Sequence, residues 1–182
     1  MIAKKEDFID AGMFDDDFFL YLEDMDLCWR MRLAGKSVKY VPSAVVFHAA
    51  AGSRNRTMLA RAWFHVVKNQ IAMITKNYSW RYLPKSLLGR LLCYAIVAIY
   101  YPFSKLLHPR RETGFLTEPA PVLQMIFAVL SGVFWNIRSL RATLAKRSWI
   151  QTRLRRVPDR RVIAFMERRN AFAELLRHVA SS

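Results

Sequence analysis

Residues 12–48, GMFDDDFFLYLEDMDLCWRMRLAGKSVKYVPSAVVFH, decide how this chain folds. Leu27, Met31 and Ala34 recur at offsets of four and three, and Gly35 stands where a left-handed residue closes a helix. The spacing predicts a helix from Asp24 to Ala34. Three carboxylates, Glu23, Asp24 and Asp26, fall at its first turn, where backbone N–H groups lack partners and the macrodipole favours negative charge. On their own they could simply stabilise the helix start, by about 0.3–1 kcal/mol. The residues before them suggest more. Phe14, Phe18, Phe19, Leu20, Tyr21 and Leu22 offer an aromatic and apolar wall. A wall of that kind limits water at a carboxylate, raises its basicity and suits it to general-base work. After Gly35 the pattern reads as a strand, a Pro42–Ser43 turn and a second apolar strand, Ala44–Phe47, ending on His48.

This order of elements resembles the C-terminal part of the catalytic domain of family 2 inverting glycosyltransferases of the GT-A type, rhamnosyltransferase-like members above all. The fold implied is an α/β fragment, mostly α: a GT-A piece of one helix and short strands, followed by membrane-associated helices. In the family the Glu-Asp pair at this helix start carries the catalytic base. Asp24 would take the proton from an acceptor sugar hydroxyl as it attacks the anomeric carbon of a nucleotide-sugar, inverting that centre. Glu23 and Asp26 would orient the helix start or touch the acceptor. The resemblance gives His48 a share in binding the Mn²⁺ or Mg²⁺ that holds the donor diphosphate, a plausible role for imidazole beside oxygen donors. The family's Asp-x-Asp metal motif belongs after a nucleotide-binding strand. Asp15-Asp16-Asp17 and Asp24-Met25-Asp26 spell it but lack that setting, and neither is assigned to it.

Beyond His48, Arg54 and Arg56 sit in a loop that could close over a diphosphate, since guanidinium pairs well with phosphate oxygens. A solvated basic loop would look the same. Lys68-Asn69 stands where relatives often show Arg-Asn, and no role is carried over to it. The resemblance is dense over residues 12–48, moderate over 49–85 and compositional beyond. It implies that the nucleotide-binding βαβ half lies outside this sequence and that the chain alone does not catalyse transfer.

Charge divides the 182 residues in two. Residues 1–56 hold eight Lys/Arg against nine Asp/Glu, whereas residues 57–182 hold 21 against five. Such polarity argues for two different surroundings. Nucleic acid is a poor partner for the basic half, which flanks apolar stretches and carries no nucleic-acid-binding signature. Anionic membrane lipid accounts for both the charge and the hydrophobicity. Cys28 and Cys93 sit in apolar settings, consistent with a reducing compartment, and the N-terminus has no signal-peptide core.

From about Thr57 to Tyr78, Leu59, Trp63, Val66, Val67, Ile71 and Ile74 mark one face of an amphipathic helix, expected on the catalytic domain or on a membrane surface. Two uncharged runs follow, 13 residues from Leu91 to Phe103 and 18 from Ala120 to Ile137. A spanning helix needs about 20 apolar residues. The runs therefore read as a hairpin that crosses the bilayer twice, as an interfacial pair or as a buried helical subdomain. The basic outer flanks place both ends at the cytoplasmic face of the plasma membrane. The expected organisation is residues 1–56 as the GT-A portion, 57–85 as a connecting helix, 86–137 as an apolar hairpin and 138–182 as a basic tail with a last helix from Asp159. The sequence thus reads as a glycosyltransferase portion acting on a cell-envelope glycan or lipid-linked acceptor. The competing class is a small membrane-anchored scaffold whose acidic segment docks a protein.

Overall fold

The computed structural model describes residues 2–45, 56–107 and 119–166. They form α1 (Lys5–Asp10), α2 (Glu23–Leu33), α3 (Arg56–Asn77), α4 (Leu83–Leu107), α5 (Pro119–Arg138), α6 (Leu140–Trp149), which continues as a π-helical turn (Ile150–Leu154), and α7 (Asp159–Ile163). Helix α3 is the axis of this arrangement. Its apolar residues Val67, Ile71, Ala72, Met73 and Ile74 are buried, and so are Lys68, Asn69, Thr75, Lys76 and Asn77. A helix buried on polar and apolar faces alike must be covered from several directions, and α2, α4, α5 and α6 all pack on it.

Helix α5 approaches closest. A Cβ placed on Gly132 would stand 2.9 Å from Val67 Cγ1, so only glycine allows this crossing. Asn136 Nδ2 donates to the Lys68 carbonyl (3.0 Å), and Lys68 Nζ lies 4.5 Å from the centre of the Trp135 ring. The opposite face of α5, Leu123, Phe127, Leu130, Phe134 and Ile137, lies exposed at helical spacing.

The C-terminal end of α3 is closed by side chains from far along the chain. Arg147 donates to the carbonyls of Thr75 and Tyr78, Gln151 to those of Lys76 (2.9 Å) and Asn77 (3.0 Å), and Arg155 to that of Asn77. The last carbonyls of a helix have no internal partner and form its negative pole, so cationic donors suit them. Arg147 also lies over the Trp80 ring at 4.0 Å. Asp159 ties α7 to the same place, accepting from the Ser79 N–H and from Arg155, each at 2.9 Å.

The structure differs from expectation in three respects. No strand is present among the described residues, and Ser37–Val41 runs without regular partners. A strand needs a neighbouring edge to bond to, and the described residues supply none. The basic segment after Arg138 is not a tail through residue 155: Lys146, Arg147 and Arg155 are folded against the acidic loop and the end of α3. Finally, among the described residues no single helix is long and apolar enough to cross a membrane; α5 from Leu123 and the segment Leu140–Leu154 reach that length only together, bent by 65°.

Candidate functional site

The carboxylates expected to do chemistry sit at the start of α2, and an unusual turn puts them there. Tyr21 and Leu22 both adopt left-handed conformations (φ 65° and 68°), and Leu22 occupies the N-cap without a capping side chain. Non-glycine residues in that region cost about 1–3 kcal/mol each and persist only where the surroundings hold them. Here the hold comes from α3. The fully buried Asn69 donates through Nδ2 to the carbonyls of Leu20 (2.8 Å) and Tyr21 (2.6 Å), while Lys68 Nζ donates to the carbonyl of Asp17. Burial depresses the Lys68 ammonium below its ordinary range, against the pull of Asp17 and Asp15. The Lys68-Asn69 pair, given no role from the sequence, is therefore what positions this turn. Its signal was spacing alone.

The carboxylates of this region then divide. Asp26 is fully buried; it accepts from Arg30 Nε (2.9 Å), Asn77 Nδ2 (2.8 Å) and Lys76 Nζ (3.3 Å). It orients α2 and has no exposed surface with which to touch an acceptor, which removes the second of its two expected roles. Asp15 is held by Lys76 and Lys146, and Asp17 by Lys146 at 2.6 Å. Burial pushes the Asp15 carboxyl up, but the charges of Lys76 and Lys146 and the Asp17 N–H outweigh it and bring it down to about 2.

Glu23 and Asp24 are left outside that network. Asp24 is exposed, and its Oδ1 accepts from the Met25 N–H at 2.7 Å. One oxygen of the half-buried Glu23, Oε2, is closed off from solvent and meets no donor among the described residues. The aromatic wall expected around Asp24 is dispersed instead: Phe18 turns into the core beneath Lys76 (4.3 Å), and the exposed Phe19 lies against His65 (5.7 Å). The water-excluded acids are thus Asp26 and Asp15, not Asp24.

Beside Asp24, Met25 begins the lining of an open cleft of about 1220 Å³ between α2, α3, α4 and α7. Cys28, one helical turn from Asp24, also lines it, and burial followed by the Asp24 charge raises its thiol. His48 and Arg54 lie outside the described residues, and Arg56 is the first residue of α3. Among the described residues no three His, Cys, Asp or Glu side chains come together in a way that could hold a metal ion. Asp15 and Asp17 already have ammonium partners, which occupy the oxygens they would offer a Mn²⁺ or Mg²⁺ ion.

Over 77 residues, 42% of its length, the chain is 32% identical to the rhamnosyltransferase WbbL of Escherichia coli and covers 29% of that protein. Over 80 residues, 44% of its length, it is 32% identical to the N-acetylglucosaminyl-diphospho-decaprenol L-rhamnosyltransferase of Mycobacterium tuberculosis and covers 26% of that protein. The chain spans less than a third of the length of these curated relatives. No family model matches it, and no solved structure does. Partial homology to proteins named rhamnosyltransferase supports a glycosyltransferase family for this chain.

Proposed function

We propose that these residues form the acceptor side of an inverting GT-A glycosyltransferase of family 2, working at the cytoplasmic face of the plasma membrane. The reaction moves a sugar from a nucleotide-sugar to a glycan or lipid-linked acceptor of the cell envelope. The observation that carries this reading is the clamped turn before α2. Two strained residues locked by Asn69 present an exposed Asp24, without an ion-pair partner among the described residues, at a helix start beside an open cleft. Strain held at one place by a buried side chain is a mark of a working site.

In this reading the Asp24 carboxylate accepts the proton of the acceptor hydroxyl as its oxygen attacks the anomeric carbon from the face opposite the departing nucleoside diphosphate. The attack inverts the configuration. Glu23, half-buried with one idle oxygen, orients the acceptor or the turn. His48 is kept as one ligand of a divalent cation, and Arg54 and Arg56 as diphosphate contacts; the described residues do not provide the rest of that site. Membrane attachment is supported by the exposed apolar stripe of α5, next to the cationic Arg138 and Arg141, which suits anionic lipid.

The test is Asp24→Asn in the transfer-competent protein. Transfer should fall by about 10²–10⁴-fold, the usual contribution of a general base, while nucleotide-sugar binding stays unchanged. Near-normal turnover would remove Asp24 from the mechanism. His48→Ala should instead weaken metal-dependent donor binding.

A further inference from the structure

The chain itself runs into the wall of the cleft beside α2. Trp29, Met73, Ile74 and Ile96 give α2, α3 and α4 largely apolar faces there. Val162, Ile163, Phe165 and Met166 join the lining, and the Tyr78 hydroxyl donates to Met166 Sδ (3.9 Å). The described residues end at that methionine, so Glu167 and its successors start from within the wall. The buried Trp29 leaves its indole N–H without an acceptor among the described residues, as a wall still lacking a neighbour would.

The sequence that follows is suited to the place. Residues 167–179 read ERRNAFAELLRHV. Phe172, Leu175, Leu176 and Val179 recur at the spacing of one helical face, Glu174 and Arg177 fall opposite, and Asn170 suits the N-cap. Helix α4 lines the cleft from Lys85 to Ile96, about 17 Å at 1.5 Å per residue, and a helix over residues 171–179 is about 14 Å long. The volume of about 1220 Å³ exceeds the roughly 300–1,000 Å³ of a small-molecule site and suits an element of the chain. An extended peptide would leave N–H and C=O groups unpaired against an apolar wall, whereas a helix pairs its own. A segment tethered within the wall also meets it at a local concentration on the order of mM, which any free competitor has to match. The rim agrees in charge. Among the described residues every charged group lining the cleft is a cation: Arg32, Lys85 and Arg90. Arg32 lies over the Phe165 ring (4.6 Å), two residues before Glu167, so that acid emerges beside a guanidinium.

We propose that this cleft is the docking site of the chain's own residues 167–179. Glu167 pairs with Arg32 at the rim, and the helix from Asn170 lays Phe172, Leu175, Leu176 and Val179 between α2 and α4. Whatever else uses the cleft has to displace that segment. The docking needs neither sugar nor nucleotide, so it stands or falls apart from the transfer reaction.

The structure supplies both a reporter and a plug. Cys28 and Cys93 both line the cleft and are free thiols. Gly89 also lines it, and a Cβ there meets no atom within 4 Å, so a side chain at 89 grows into the cavity without a clash. The experiment is crosslinking by a short bismaleimide in the full chain carrying Leu176→Cys, with Glu174→Cys as the opposite-face comparison. Leu176→Cys should link to Cys28 or Cys93 within one chain, about tenfold faster than Glu174→Cys does. Gly89→Phe, checked for unchanged helix content, should slow that link about tenfold, whereas Gly89→Ala should not. Glu167→Gln and Arg32→Gln should each slow it about threefold, and the two together no more than either alone. Equal rates from positions 174 and 176, or no link at all, would overturn the docking. Links formed only between chains, faster at higher protein concentration, would overturn it in favour of a second copy. A link indifferent to Gly89→Phe would overturn the cleft as its place, and additive effects of the two Gln variants would overturn the pair at the rim.

Discussion

Two pairs of acids lie within twelve residues of one another and live in opposite conditions. Asp15 and Asp26 are buried among Lys76, Lys146, Arg30 and Asn77; Glu23 and Asp24 stand at the start of α2 without an ion-pair partner among the described residues. The first pair is structural. Removing one member leaves buried ammonium or guanidinium charges uncompensated, which costs several kcal/mol. The second pair contributes little to the fold, so its position has to be explained by something other than stability. Ion pairs fix the acidic loop and α2, hydrogen bonds from Lys68 and Asn69 fix the turn between them, and the two acids presented there have no ion-pair partner among the described residues.

Substitutions can break this contrast, and their effects on stability should fall in a definite order. Asp26→Ala should be most damaging, at about 3–5 kcal/mol, because Arg30 and Lys76 lose a shared buried partner; chemical denaturation measures it. If Asp26→Ala unfolded no more easily than Asp24→Ala, the division into buried and working acids would fail.

Acid should act next. The Asp15 carboxyl lies at about 2 against its ordinary 3.8, and it is shielded from solvent. A depressed carboxyl stabilises the fold fully above its unfolded value, and that contribution disappears as pH falls from about 4 through about 2. The loss amounts to about 2 kcal/mol, and Lys146→Gln should shrink it by removing one of the two cations responsible. Denaturation midpoints between those pH values would show it.

Asn69→Ala should cost about 1–2 kcal/mol through two lost hydrogen bonds, partly offset as the strained turn relaxes. Its sharper signature is local. Amide exchange at Leu22–Asp26 should quicken while exchange in α5 does not change, and transfer by the competent protein should fall with it. Asp24→Asn sits at the bottom of the order: stability within about 0.5 kcal/mol of wild type, as for other exposed sites, with transfer lowered by about 10²–10⁴-fold.

Much of this arrangement could be read from the residues. Gly35 was expected in a left-handed conformation and has φ 82°, the helix before it spans Glu23–Leu33, and α3 runs Arg56–Asn77 against an expectation of about Thr57 to Tyr78. Local periodicity and glycine chemistry carry that information. What escaped is information held between distant segments. The strand expected after Gly35 depends on an edge elsewhere, and the described residues offer none. Lys146, Arg147 and Arg155 looked like lipid-facing charges because sign alone cannot show that Asp15 and the carbonyls of Thr75, Asn77 and Tyr78 lie opposite them. The same blindness made Asp26 look like an acceptor contact and left Asn69 without a role. The assignments of His48 and Arg54 fall outside the described residues, and that of Arg56 rests on a backbone position alone.

The way α3 is finished has a consequence for synthesis. Its terminal carbonyls are met by side chains 69 to 78 positions further along, so the axis of the fold stays unsealed until Arg155 has emerged from the ribosome. At about 5–20 residues per second that interval lasts roughly 4–15 s, during which α2, α4 and α5 can already cover the apolar flanks of α3 while its terminal carbonyls still lack these donors. A nascent chain stalled before Arg147 would leave the carbonyls of Thr75, Lys76, Asn77 and Tyr78 without those donors, so that end of α3 would fray first.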